Sequence, residues 1–435
     1  MSRPHLLYTA WSFPPSRAGG VYRATATVNA FADAGWDVTV LTVPEDLFRR
    51  STGSDAGLLR QVRDGIRIER IDPDVPAFQN DVSRWSWMRA RFPEVDKLVD
   101  LPRDFRHFPE PNYGRWRPAL ERAAERIHRT RPVDLAIGTA NPHVDFIPGW
   151  HLSRRFGVRH VMDYRDAWQL DVFSGRRLIT ATPGVRRWEK RLMAAADGVW
   201  FVNDAIRAWH SEQHPEVASK MHVVANGFDE YVGSLRVPVR EGRAAGLVFG
   251  YIGTVSPQVP LLLLLDAWRE ARRREPLLSS AQLVLRGYLG HFGTGNVAFE
   301  SAITDAAVDG VRYDGPVGKA DIAAVYAGFD ALVLALGTGR YVTSGKVYEY
   351  VATGLPIVSV HDPGNAAADV LRGAAAWVPS RELSVDAVAE ALIETARMAA
   401  SQSDAERAAA QEWGAQYSRA GQLDPRIAAL RPELG

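Results

Sequence analysis

The stretch YVTSGKVYEYVATGLPIV, residues 341–358, sets Lys346 behind three small residues, Thr343, Ser344 and Gly345, at the mouth of a short predicted helix. An ammonium there opposes the positive end of the helix dipole. A bound anion reverses the objection: the amides of Ser344 and Gly345, the dipole and Lys346 would hold a phosphate together. Glu349, three residues on, shares the face of Lys346, and an acidic residue beside a bound nucleotide takes ribose hydroxyls. The competing reading is a surface ion pair between Lys346 and Glu349, worth about 0.3–0.5 kcal/mol. Gly354-Leu355-Pro356 stops the helix sharply before an apolar strand, and that geometry favours a binding loop.

Four other loops carry residue types capable of chemistry. SRAGG (16–20) puts Gly19 and Gly20 before a helix, either as a plain turn or as a place where backbone amides approach an anion or a sugar. TANPHVDF places His143 after an apolar run, where it could hydrogen-bond a substrate hydroxyl or merely cap a helix. DYRDAW gathers Asp163, Arg165, Asp166 and Trp168; one carboxylate pairs with Arg165, or the cluster faces a substrate. GTVSPQ offers Gly253, Thr254 and Ser256, small residues and hydroxyls suited to phosphate contact, without a cation.

The elements that must position these loops follow a βα rhythm. HLLYTAW, a loop, VYRATATVNAFADAG and DVTVLTV read as strand, helix and strand, and further buried strands are expected at VDLAIGTA, RHVMDY, DGVWFVN and KMHVVAN. A second series starts at LVFGYIGT and runs through AQLVLRGYLG, VRYDGPV, DALVLAL, the strand after Lys346 and AAWVPS. Two doubly wound parallel sheets in an α/β chain are predicted, with ligands at the carboxyl ends of the strands. The expected boundaries are a first domain at 1–235, a second at 245–405 and a helical tail at 406–435, joined by a polar linker near 230–246. Residues 45–117 break the rhythm and read as an insertion in the first domain. Its Trp85, Trp87, Phe105, Phe108 and Trp116 either seal it onto the core or form an acceptor-binding or membrane-facing surface.

Composition bounds the partners. The 435 residues are 46% hydrophobic and 24% charged with a net charge of +1, so nothing electrostatic calls for nucleic acid. No cysteine is present, which excludes disulfides, thiolate metal sites and cysteine nucleophiles. No run approaches the roughly 20 apolar residues of a membrane span. A cytoplasmic enzyme is expected, with peripheral membrane contact left open.

In order and spacing over residues 5–380, the motifs PPSRAGGVYRATATVNAFADAGWDVTVLT, ANPHVDF, DYRDAW, AADGVWFVN, VVANGFDE, FGYIGT and SGKVYEYVATGLPIV resemble those of a glycosyltransferase of the GT-B fold, of the retaining family 4 type. The resemblance implies two Rossmann-like domains facing a cleft, a final helix crossing back to the first, nucleotide-sugar donor on the second domain and acceptor on the first. It implies that Gly20 approaches the donor diphosphate or sugar, that His143 lies at the reacting sugar, that Lys346 contacts the diphosphate and that Glu349 accepts the ribose hydroxyls. This chain departs from the family at Thr254 and Val259, where cations are usual, and at Tyr341, where the first of two paired glutamates is usual. A subgroup with DxRDxW and SGKxxEY motifs looks similar in these respects, with Lys346 and Arg340 or Arg286 supplying the charge.

The expected reaction is metal-independent, cofactor-free transfer of a sugar from a nucleoside diphosphate to an acceptor hydroxyl of a natural product or glycan, with retention at the anomeric carbon. Lys346 and the helix end would stabilise the leaving diphosphate, and that phosphate would itself deprotonate the acceptor. The Asp-Pro-Asp run at 72–74 reads as a turn rather than a metal site. Two rival readings stand beside transfer: a nucleotide-sugar 2-epimerase, and a noncatalytic nucleotide-sugar-binding protein.

Overall fold

All strand pairs in this computed structural model run parallel, and they close into two sheets. The structure describes the chain except residues 1–2, 74–81, 230–231, 233–234, 236, 241–242, 291–296, 319–320, 338 and 432–435. The chain divides into two units: Met1–Asp171, Gly175–Val224 and Leu423–Gly435 in the first, Val172–Ser174 and Ala225–Gln422 in the second.

In the first unit the strands are β1 (His5–Thr9), β2 (Asp37–Thr42), β3 (Arg67–Arg70), β4 (Leu135–Ala140), β5 (Arg159–Tyr164), β6 (Gly198–Phe201) and β7 (Met221–Val223). Their order across the sheet is β3-β2-β1-β4-β5-β6-β7. The central strands are buried on both faces, as in β1 and β4, where every residue is buried. That is why they read as unbroken apolar runs. Helix Val21–Asp33 covers β1 and β2 through Ala24, Val28 and Phe31, which join Leu6, Tyr8, Val38 and Val40 in one core. Leu423 and Ile427 of the terminal helix Arg419–Ala429 join the same core.

The segment 45–117 is partly sheet rather than wholly an insertion. Residues 67–70, Arg-Ile-Glu-Arg, form β3 and pair with β2 from Thr39 to Thr42. An edge strand that is mostly charged and only half buried carries no apolar signature, so its sequence does not announce it. The expected sealing aromatics divide. Phe108 and Trp116 are fully buried, while Trp87 is 74% and Phe105 37% exposed. The Asp-Pro-Asp run reaches Asp74, and the linker reading at 230–246 likewise falls partly outside the described residues.

The second sheet contains β8 (Val248–Ile252), β9 (Gln282–Arg286), β10 (Val311–Tyr313), β11 (Ala331–Ala335), β12 (Ile357–Val360) and β13 (Trp377–Val378), in the order β10-β9-β8-β11-β12-β13. Both sheets therefore reverse strand order once, between β1 and β4 and between β8 and β11. At such a reversal the loops leaving the carboxyl ends diverge and open a crevice. The helix Gly345–Thr353, which follows β11, is clamped from behind by helix Asp404–Gly414, where glycine at 414 lets the two backbones meet beside the Val351 carbonyl.

Candidate active site

In the second unit Lys346, Gly253 and Thr254 meet Tyr251 at the end of β8. Lys346, in the first turn of helix Gly345–Thr353, folds back across the strand end, and its Nζ donates to Tyr251 Oη at 2.6 Å. The ammonium lies 4.2 Å from the centre of the Tyr251 ring, within cation–π range. Tyr251 Oη donates in turn to the Thr254 carbonyl at 2.9 Å, so the tyrosine is fixed at both ends of its hydroxyl. Burial lowers the Lys346 pKa from 10.5 to about 8, with the Glu349 charge pulling it back up. Glu349 itself accepts from Tyr326 Oη at 3.3 Å.

Gly253 is required for this arrangement. Its φ of +134° is one that other residues rarely adopt, and an added Cβ would collide with Lys346 Cε and lie 2.6 Å from Nζ. Ser344 occupies the N-cap, its hydroxyl makes no capping bond, and the Val347 amide donates to the Ser344 carbonyl at 3.2 Å. Ser256 is buried and Thr254 exposed in the loop after β8. Val259, one of the two positions where a cation is usual in the family resembled, is buried in the core with Leu261 and Leu264. Arg286, at the end of β9, turns to the loop after β10: Nη1 donates to the Asp314 carbonyl at 2.9 Å. Its Nε is buried with no hydrogen-bond partner among the described residues. Arg340 is exposed, its guanidinium 5.9 Å from the ring centre of Tyr341.

In the first unit His143 follows β4 and is 5% exposed. Its Nδ1 lies 3.1 Å from Glu110 Oε1, and since a carboxylate only accepts, Nδ1 carries the proton. Glu110 also accepts the backbone amides of His143 and Val144, each at 2.8 Å. The imidazole stacks on Trp168 at 4.7 Å with 7° between planes, and Trp168 stacks on Phe108. Nε2 of His143 lies 3.3 Å from the Asp166 carbonyl.

Arg165 and Asp166, after β5, form an ion pair at 2.8 Å. Asp163 does not share it. It is wholly buried, held by the Arg23 guanidinium through Nε and Nη2 and by Thr139 Oγ1, and so braces helix Val21–Asp33 against β5. Gly20 has an ordinary helical φ of −68°, so conformation does not demand glycine there. Packing is close but yielding: an added Cβ would stand 3.2 Å from the Arg165 guanidinium carbon, at the end of a flexible side chain. Around Gly19 the space is open.

The sequence placed Gly253, Thr254 and His143 in loops after strands and Lys346 and Glu349 at the start of a helix, and the structure has His143 after β4, Gly253 and Thr254 after β8, and Lys346 and Glu349 in helix Gly345–Thr353. Sequence reasoning missed Glu110 and Tyr251. Glu110 lies 33 residues before His143 in a proline-rich run, and a buried-carboxylate role leaves no local pattern. Tyr251 lies inside an apolar strand, where tyrosine reads as core.

Two parallel sheets of seven and six strands, each with candidate residues at the carboxyl ends of its strands, define a two-domain protein of the GT-B architecture. Residues 18–227 match the model of the glycosyl transferase 4-like domain and residues 246–397 that of glycosyl transferases group 1. The chain belongs to the glycosyltransferases built from this pair of domains. No curated protein matches it in sequence. Among solved structures, a glycosyltransferase from Rickettsia africae is similar with a TM-score of 0.64 at 10% identity, over 99% of this chain and 98% of that one. Anabaena Alr3699/HepE in complex with UDP has a TM-score of 0.62 at 14% identity, over 99% of both chains. A putative UDP-N-acetylglucosamine 2-epimerase from Listeria monocytogenes has a TM-score of 0.53 at 9% identity, over 99% of this chain and 96% of that one. At these identities the likeness is one of fold.

Proposed function

We propose that this glycosyltransferase moves a sugar from a nucleoside diphosphate to an acceptor hydroxyl of a natural product or glycan, with retention of configuration and without a metal ion or cofactor. The observation that carries the reading is Lys346: a desolvated ammonium held by Tyr251 at a helix start whose N-cap hydroxyl makes no capping bond. Burial disfavours that ammonium by more than the Glu349 charge restores, and a diphosphate would offset the difference.

Charge builds on the leaving diphosphate as the glycosidic bond breaks. A fixed ammonium and preorganised amides stabilise that charge without reorganising, which lowers the barrier. The same phosphate oxygen, on the face from which it departs, takes the proton of the incoming hydroxyl, so retention follows without an enzymic nucleophile. In this reading Glu349 takes the ribose hydroxyls, Gly253, Thr254, Ser256, Ser344 and Gly345 surround the phosphates, and Arg286 or Arg340 adds charge. On the first unit Gly19 and Gly20 admit the donor, His143 hydrogen-bonds the reacting sugar, and Asp166 holds Arg165 and contacts the acceptor.

The test is incubation with a panel of nucleotide sugars while free nucleoside diphosphate is followed. Release that depends on an added acceptor is the expected result. Sugar isomerised without release would mean the epimerase-type reaction, and binding with neither outcome would refute catalysis. In the same assay His143→Ala is expected to cut transfer far more than donor affinity.

A further inference from the structure

Helix Pro93–His107 is amphipathic in the inverted sense. Among its described side chains the one it buries is an acid: Asp104, 3% exposed, accepts from Arg115 Nε at 2.8 Å and from the Asn112 amide at 2.8 Å. Gly114 lets the helix end press on the following turn, since an added Cβ there would meet the carbonyls of Phe108 and Asp104. At about 100° per residue, Val95, Leu98, Val99 and Phe105 all lie 100° or more around the helix from Asp104. All four are exposed, Leu98 by 68%. A helix normally turns its apolar stripe inward. This one docks by its polar side and presents the apolar side outward.

The face continues onto the preceding helix Trp87–Arg91. Trp87 is 74% exposed and Phe92, between the helices, 49%; the two rings meet edge to face at 5.9 Å. Arginine dominates the exposed charges around it: Arg91, Arg103 and Arg106 against Glu94 among the described side chains. An apolar face of this extent on one surface marks a contact site.

We propose that this face lies on an anionic lipid bilayer, with the two helices parallel to the surface. Tryptophan and phenylalanine suit the headgroup boundary, and arginine stems lie along apolar surface while their guanidinium groups reach lipid phosphates. A second copy of the chain fits less well, because a two-fold contact through this face brings the same arginines against each other. No helix of the described residues is long and apolar enough to cross a membrane, so the contact is interfacial. The inference does not depend on the sugar-transfer reading.

The test is cosedimentation of the full-length protein with vesicles of phosphatidylcholine alone and of phosphatidylcholine with about one third phosphatidylglycerol. The protein is expected in the pellet with the anionic vesicles, and to be released from them as salt is raised. Leu98→Glu with Phe105→Glu, and separately Arg103→Glu with Arg106→Glu, are each expected to lower partitioning by tenfold or more. All four side chains are exposed, so circular dichroism and melting temperature stay at wild-type values. Wild-type protein left in the supernatant of both vesicle types overturns the proposal. So does wild-type partitioning by the Leu98 and Phe105 variant, or a dimer seen by sedimentation velocity that this variant dissolves while vesicles bind nothing.

Discussion

Lys346 links local electrostatics to a measurable pH dependence. Its folded-state pKa, about 8, lies below the 10.5 of a solvated lysine, so between those values the unfolded chain binds more protons. Stability contributed by this group therefore rises as pH climbs through that window, and the buried charge is a cost at neutral pH. A bound diphosphate acts the other way, holding the proton on Lys346. Since a terminal phosphate is already ionised above about pH 6 to 7, nucleoside diphosphate affinity is expected to weaken toward tenfold per pH unit above about pH 8. Calorimetry with UDP in buffers of differing ionisation heat would show proton uptake near that pH. Lys346→Ala is expected to bind more weakly and to lose both signals; a variant that retains them would remove Lys346 from the phosphate site. Glu110 is the corresponding test in the first unit. Glu110→Ala strands the amides of His143 and Val144 and removes the partner of the imidazole Nδ1. A loss of about 1–3 kcal/mol is expected for the unpaired buried groups, with kcat falling tenfold or more while donor KM holds. Equal losses in kcat and in folded protein, with normal turnover per folded molecule, would make Glu110 purely structural.

At the scale of elements, the loop after β8 and the helix after β11 act as one device, and Gly253 is its contact point. Gly253→Ala meets both a φ of +134° and the Lys346 side chain, whereas Gly20→Ala meets only the end of a half-buried arginine. The first is expected to cost more stability and to reproduce the UDP-binding loss of Lys346→Ala. The second is expected to melt within a few degrees of wild type. Thermal melts and UDP titrations of the two variants decide the order, and equal melts would mean that neither the φ at 253 nor the displaced lysine costs stability. The strands of this device were legible in the sequence because central parallel strands are buried on both faces and read as continuous apolar runs. β3 was not, because Arg-Ile-Glu-Arg at a sheet edge satisfies its backbone on one side only and keeps a charged pattern. The lysine's place at a helix mouth was legible from small residues before it and Gly354 after it. Its hold on Tyr251 was not, since 95 residues separate the partners. Glu110 stayed hidden for the same reason: packing across distant segments leaves no periodicity to read.

For the whole molecule, the chain passes between its two units more than once. Apart from Val172–Ser174, the second unit is built from Ala225 to Gln422, and the chain returns to the first at Leu423. That return is a hydrophobic attachment as well as a change of unit. Leu423 and Ile427 are 5% and 2% exposed, in one core with Leu6, Phe31 and Val40, and Arg159 Nη1 donates to the Leu430 carbonyl at 3.4 Å. A large-to-small change at a buried aliphatic costs about 2–5 kcal/mol, so Leu423→Ala and Ile427→Ala are each expected to weaken the first unit by that order. Their effect should be local in an informative way. Residues 423 and 427 follow the last turns of the second unit in sequence, yet hydrogen exchange is expected to quicken in β1, β2 and helix Val21–Asp33. The β8, β9 and β11 strands should keep wild-type protection, since their core contains neither residue. Faster exchange confined to the second sheet would mean that the terminal helix belongs energetically to the unit it leaves. Uniform loss in both would mean that the two units unfold as one.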